Sequence, residues 1–445
     1  MQKKLLKIFY KDGFMKKLIA CLFCVFALFT LFGKDFSPAE VPSGWASYTG
    51  TTNLAGEPLT PPSFLGGNNG SKSVTVTTKK ELLAALKSKD PKVIYIDGII
   101  DMTEGMLPAK ATETTKKLDA FVAEVTSQFD NFTCETYEAW RNLYANNVLS
   151  YEDPTGDIKK VQTALKNAWG KIIIVSITSN KTLIGLGKNS GIKGAALRIK
   201  NAENIILRNL HIQDAFDPFP VLEGGDGLNA QYDGLAIQGS KYIWVDHCTF
   251  EDTLAFSDND LPKVKTKDGE KLKWQSYDGL LDITNKNDFV TVSWCVFRNH
   301  DKTMLIGSSD KQVADINHQT ITLHHNYFDG ATQRLPMVRF ATIHIYNNVF
   351  DNQNSSRANA YAIGIRKDAK IVAENNYFGT GIKYSLANND GKIYFSGNED
   401  NSKYKFNKSV PVATKPWNPE QYYVYSLDET SILVDLVKEQ AGAGK

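Results

Sequence analysis

Six segments in the second half of the chain carry one alternating pattern, and that repeat restricts the fold more than any other feature. They read NIILRNLHI (204–212), YIWVDHCTF (242–250), FVTVSWCVF (289–297), TITLHHNYF (320–328), TIHIYNNVF (342–350) and KIVAENNYF (370–378). In each, apolar and polar residues alternate, then a small or polar residue leads into an apolar or aromatic pair. Alternation with period two marks a strand. Successive copies start 22 to 47 residues apart, so loops of unequal length intervene. A strand repeat whose tightest spacing is near 22 points to a coil of short parallel strands. One such coil cannot bury its own apolar face, so the coils must stack.

Stacking aligns a column made of Leu210, Cys248, Cys295, Asn326, Asn348 and Asn376. Its members should lie ~4.8 Å apart. Asparagines at that spacing can chain their amides and satisfy the backbone of the turn. Cys248 and Cys295 become neighbours, expected as stacked buried thiols rather than a disulfide. A further strand precedes each copy: YDGLAIQ (232–238), YDGLLDI (277–283), KTMLIG (302–307), RLPMVRF (334–340) and AIGIRK (362–367). These fall on successive coils and should form one continuous parallel sheet.

The first half is less regular. TTKKELLAALKS (77–88) predicts a short helix with a capping box from Thr78 to Glu81, suited to cover the first coil. Residues 107–168 break the strand pattern. Leu118, Phe121, Val122, Val125 and Phe129 keep helical spacing there, as do Val161, Leu165 and Trp169. This stretch reads as a helical insertion within one domain of residues 34–445. The tail from about 416 to 445 reads as a wrap-around that ends in a helix near 429–440.

At the N-terminus, Lys16 and Lys17 precede the apolar run LIACLFCVFALFTLFG (18–33). A basic start and an apolar run form a secretory signal, with Met15 as a natural start and residues 1–33 removed. An uncleaved membrane anchor is the alternative. The leader holds six lysines and one aspartate, so the formal charge falls from +2 to 2 − 5 = −3 once it is gone. Attraction for an anionic polymer must then come from a local patch or a bound metal. Three cysteines remain on a long exported chain, with no zinc spacing, which argues against a disulfide scaffold.

The chemistry gathers on the strands that precede the repeats. Asp233 stands on one coil, and Asp278 and Asp282 on the next. Carboxylates this close repel unless a cation joins them. Oxygen-only ligation suits a hard ion such as Ca²⁺. Each Asp-Gly pair, at 233–234 and 278–279, also reads as a plain turn. Lys302 follows one coil on, and Arg334 and Arg339 one coil further. Pro336 between the two arginines allows a bend, so both can face one groove. The face grades from acidic to basic over ~15 Å, about three strand spacings. His247, His324, His325 and His344 lie within the repeats and read as structural. Trp274 precedes Asp278 and could stack on a sugar, although a lone tryptophan is more often packing.

With DPFP (217–220), DGLNAQYDG (226–234), WVDHCTF (244–250), HDKTMLIGSSD (300–310), ITLHHNYF (321–328) and QRLPMVRF (333–340) on the page, the chain resembles the pectate lyases. The similarity runs from about Ser73 to Lys415. It implies an all-β fold, a right-handed parallel β-helix with an N-terminal capping helix and the helical insertion. By resemblance, Asp233, Asp278 and Asp282 match the family's calcium ligands and Arg334 its catalytic base. Lys302 and Arg339 match its binders of substrate carboxylates. Thr284 stands where some relatives carry a further basic residue. The implied function is a secreted, extracellular or periplasmic enzyme that cleaves de-esterified polygalacturonate by Ca²⁺-assisted β-elimination. Its products would be 4,5-unsaturated oligogalacturonates. The implied partner is that polymer, without nucleic acid and without a membrane after processing, for a monomeric enzyme. A pectin lyase, a polygalacturonase and a non-catalytic pectin-binding β-helix are the alternatives.

Overall fold

The computed structural model describes residues 36–445 apart from 38–39, 64, 69–71, 111–112, 131, 150–153, 224–226, 255–268, 270–271 and 354–357. The expected signal at 1–33 lies outside these residues. No helix among the described residues is long and apolar enough to cross a membrane.

The repeats fold into two long parallel sheets. One sheet has nine strands, hydrogen-bonded in chain order. We label them β1 (Ile174–Ser176), β2 (Ala196–Lys200), β3 (Leu235–Gln238), β4 (Leu281–Thr284), β5 (Leu305–Ile306), β6 (Met337–Val338), β7 (Ile363–Ile365), β8 (Tyr384–Ala387) and β9 (Tyr404–Asn407). Register places like on like. Ile237 pairs Ile283, which pairs Ile306, which pairs Val338, which pairs Ile365. All five are buried. Each such side chain contributes about 1.5–3 kcal/mol of burial, and a slip by one residue would turn the column outward.

The six repeats supply twelve strands of a second, 17-stranded sheet. Ile243, Val290, Ile321, Ile343 and Ile371 form one of its inner columns. Phe250, Phe297, Phe328, Phe350 and Phe378 form another, with successive rings 5.1, 5.1, 4.9 and 4.7 Å apart. The turn inside each repeat is made by a left-handed residue: Asn209, His247, Trp294, His325, Asn347 and Asn375 have φ of 54, 49, 51, 55, 52 and 48°. The residue after each belongs to the column read from the sequence.

In that column the backbone N–H and Nδ2 of Asn326 both donate to Oδ1 of Asn348, at 3.0 and 2.9 Å. Asn348 repeats the pattern onto Asn376. Asn376 repeats it onto Asn398, a rung that the sequence reading left out. Above them Cys295 N–H donates to Asn326, and Cys248 N–H donates to the Cys295 sulfur. Cys248 and Cys295 are free thiols.

Five α-helices complete the described fold. Helix α1 (Lys79–Lys87) carries the capping box between Thr78 and Glu81 and buries Leu82, Ala85 and Leu86 over the coil core. Helices α2 (Lys116–Thr126), α3 (Tyr137–Asn146) and α4 (Gly156–Ile173) occupy the stretch without strand periodicity. Their apolar faces join Phe216, Phe219, Leu228, Tyr232, Trp274 and Tyr277 in a second core. That core packs against the segments that lead into β3 and β4. Helix α5 (Thr430–Gln440) lays Leu433 and Val437 on Val296 and Val349 of the second sheet.

The ladder yields a stability prediction. Replacing Asn348 by alanine removes its side-chain bonds to Leu323 O, Tyr346 O and Asn376, strips the Asn326 backbone N–H of its partner and leaves Asn326 Nδ2 only Val292 O. Each buried group left unpaired costs about 1–3 kcal/mol. Denaturant unfolding should show Asn348→Ala lowering stability by roughly 3–5 kcal/mol. Asn398→Ala, at the partly exposed last rung, should cost less than half of that.

Candidate functional site

Alternation along β4 decides which of its side chains leave the core. Leu281 and Ile283 are buried inward, so Asp282 between them faces outward. Opposite it in β3 stands Ala236, small enough to leave room. Asp282 Oδ1 accepts from the backbone N–H of Leu305 on the next coil, at 2.9 Å. Asp233 does the same one coil earlier, accepting from Gly279 N–H at 3.0 Å. Gly279 is required here, because a Cβ would lie 2.3 Å from Asp282 Oδ1. The third carboxylate, Asp278, is held by Lys302, with Nζ 2.8 Å from Oδ1.

The three acids act as one electrostatic unit. Burial and the Asp278 charge push Asp233 up to about 7, against the pull of the Gly279 N–H and Lys302. Burial, Asp233 and Asp278 raise Asp282 well above the usual carboxylate range, while the Leu305 N–H and Arg334 oppose the rise. Among the described residues no three acidic, imidazole or thiol side chains are gathered closely enough to hold one metal ion together. Asp278 faces Lys302 instead.

Next along the sheet, the chain gains one residue. Lys302 pairs Gln333 in the second sheet, yet Leu305 pairs Met337 in the first. Two residues on one coil therefore face three on the next. The extra length is taken up at Arg334, whose backbone is left-handed with φ 61°, before the buried Pro336. A local irregularity of this kind re-aims a side chain out of the pleat. Arg334 is partly exposed and forms no ion pair among the described residues. Arg339 is different. Its Nε donates to Asp310 Oδ1 at 2.6 Å and its Nη1 to Gly307 O at 3.2 Å. Asp310 also takes Arg366 at 3.1 Å. The hydrogen bond from Arg339 holds the Asp310 carboxyl below its ordinary range.

Thus Asp233, Asp278, Asp282, Lys302 and Arg334 lie on consecutive coils within electrostatic reach of one another. Arg339 follows on the strand after Arg334. Tyr361 joins the two arginines: its phenol feels Arg334, Arg366 and Arg339, and its ring lies over Gly364 in β7. The sequence reading missed Asp310, Arg366, Tyr361 and His300. His300 is buried between the Asp252 carboxylate and the Asp278 carbonyl. Burial works against its charge, but Asp252, the Asp278 carbonyl and Asp301 together raise its pKa. The HDK order at 300–302 was the available signal.

The residues read as structural stay away from this face. His247 bonds Asp246, His325 bonds Asp428 and His344 bonds Glu374, all against the second sheet. Burial lowers His324, His325 and His344. Trp274 is fully buried in the second core, edge-on to Tyr144, and is packing. Thr284 ends β4, buried beside Gln238.

Comparisons with known proteins agree with this architecture. A family model described as pectate lyase matches residues 147–445. The chain is 32% identical over 424 residues to a pectate lyase of Bacillus subtilis, covering 90% of this chain and 92% of the relative. It is 38% identical over 287 residues to pectate lyase D of Dickeya chrysanthemi, covering 61% and 71%. Among solved structures, a mutant of the Bacillus subtilis pectate lyase superposes with a TM-score of 0.73 at 28% identity, covering 92% of this chain and all of that one (100%). A pectate lyase bound to a hexasaccharide gives 0.71 at 29% identity, covering 92% and 98%.

The raised carboxylates set a pH signature. A carboxyl whose folded pKa lies above its unfolded value costs stability as pH rises past the unfolded value, and the cost is complete above the folded one. For Asp233 that window runs from about 4 to about 7. In chelator, Asp233→Asn should therefore raise the thermal midpoint more at pH 8 than at pH 5. Equal shifts at both pH values would contradict the coupling.

Proposed function

This chain belongs to the pectate lyase family, and from that premise we propose that it cleaves de-esterified polygalacturonate by calcium-assisted β-elimination, with Arg334 as the base. Family membership sets aside the hydrolase and the non-catalytic β-helix. The observation that carries the reading is the company Arg334 keeps. Lys302, Arg339 and Arg366 are each held by a carboxylate, while Arg334 forms no ion pair among the described residues. Its guanidinium is therefore free to approach a substrate; Arg198, likewise without an ion pair among the described residues, stands on β2 beside Ala236, at the acidic end of the sheet.

By donor chemistry the three aspartates suit a hard divalent cation, with Asp278 having to turn from Lys302 to join the other two. Burial and mutual repulsion oppose the ionisation of two of them, and a cation among oxygen donors would relieve that. Asp233, Asp278 and Asp282 would hold it. When bound, calcium neutralises substrate carboxylate and stabilises the charge that develops there. A neutral methyl ester gains nothing from such a site, which favours the unesterified polymer over the substrate of a pectin lyase.

The remaining steps belong to the chain's own residues. Lys302 and Arg339 bind uronate carboxylates and fix the ring over the sheet. Arg334, in its uncharged form, takes the C5 proton, which is α to the carboxylate. The electron pair forms the C4–C5 double bond as the C4–O bond breaks, and the leaving oxygen takes up a proton from water. The product is a 4,5-unsaturated oligogalacturonate. A guanidinium keeps its proton below ~12 in water, so the rate should rise toward alkaline pH. The basic, apolar leader at 1–33 supports export to the periplasm or medium, with residues 34–445 acting as one monomeric domain.

Two outcomes check this. With polygalacturonate, ultraviolet absorbance of unsaturated product should appear with calcium and vanish with chelator, returning on readdition. Arg334→Lys should lower kcat by about 10²–10⁴-fold, the usual worth of a positioned base, with little change in oligogalacturonate binding by calorimetry. Turnover near wild type would remove Arg334 from the role.

A further inference from the structure

Asp278 is gripped at two points by one strand. Val296–Lys302 presents His300 and Lys302 two residues apart, hence on one face. Lys302 takes the Asp278 carboxylate at 2.8 Å. His300 Nε2 donates to the Asp278 backbone carbonyl at 2.5 Å. The other ring nitrogen of His300, Nδ1, lies 2.8 Å from Asp252 Oδ2. Both of these partners accept, so the ring is fixed in orientation from both ends. His300 is 1% exposed, and Tyr277 stands edge-on to it at 6.3 Å. Tyr277 is itself tied to Asp214 through its hydroxyl at 3.2 Å.

The two grips differ in permanence. Lys302 is needed at substrate carboxylate, and on moving there it releases Asp278. The imidazole grip is on the backbone carbonyl, made by a side chain only 1% exposed, and leaves the carboxylate free. We propose that His300 is the positioning residue that keeps Asp278 and the Gly279 amide in place within the carboxylate cluster once Lys302 has left. The proposal rests on the reading of Asp233, Asp278 and Asp282 as the calcium site. It adds a residue that touches neither the ion nor the polymer. An outer residue of this kind commonly changes metal affinity by about 10–100-fold.

Two variants separate holding Asp278 from merely filling space. In His300→Asn the amide can reach Asp252, as Nδ1 does, but not Asp278. In His300→Gln the amide nitrogen falls near the place of Nε2 and can still bond the Asp278 carbonyl. Calcium binding by calorimetry, without substrate, should weaken about 10-fold or more in His300→Asn and stay within about 3-fold of wild type in His300→Gln. Hydrogen exchange at the Gly279 amide, which donates to Asp233, should follow the same order in metal-free protein. Wild-type exchange in His300→Asn, or equal loss in both variants, overturns the proposal. A wild-type protein that binds no calcium overturns the reading of the three aspartates instead, and the exchange result then decides the role of His300 by itself.

Discussion

Parallel stacking in register is the constraint on which the rest depends. Every coil hands its backbone donors to the next, so a residue's height is set by coil number and its face by strand parity. The asparagine rungs from Asn326 to Asn398 pin that register at the turn, where strand pairing alone could slip. Stacked phenylalanines pin it again inside. Positions far apart in sequence, such as Asp282 and Arg334, then come within electrostatic reach without any local signal between them.

Register also creates the electrostatic gradient. Two carboxylates on adjacent coils each accept an amide of the following coil, so their oxygens are fixed close together in a poorly hydrated place. Burial and repulsion make that arrangement unfavourable for ionised carboxylates, and under the proposed function a cation would relieve it. At the other end, Asp310 holds Arg339 and Arg366 as a pair. The same chemistry therefore serves opposite ends: acids held together by the backbone, bases held together by an acid. Arg334 stands between the two ends on a left-handed residue, outside both sets of partners.

Much of this was legible in the sequence because period-two alternation and the spacing of the repeats carry the coil directly. Strands β3 to β7 coincide with the five segments read beforehand, β4 running one residue further to Thr284, and Asp233, Asp278, Asp282, Lys302, Arg334 and Arg339 fall on their consecutive coils. What could not be read were contacts made through loops of unequal length. Asp310 reaches Arg339 across 29 residues and Arg366 across 56. His300 meets Asp252 across 48 residues. No periodicity links such positions; only the folded path of the loops does. The thiols of Cys248 and Cys295 were legible, since they occupy rungs of the same column.

The central claim is that one cleft brings the acidic cluster, Lys302 and the two arginines to a single polyuronate chain. A crystal structure of the Arg334→Lys protein with calcium and an oligogalacturonate tests it most directly. The account predicts uronate carboxylates between the three aspartates and Lys302 and Arg339, with one C5 hydrogen turned toward residue 334. An oligosaccharide bound elsewhere on the coil, or one whose C5 hydrogens all point away from residue 334, would contradict it.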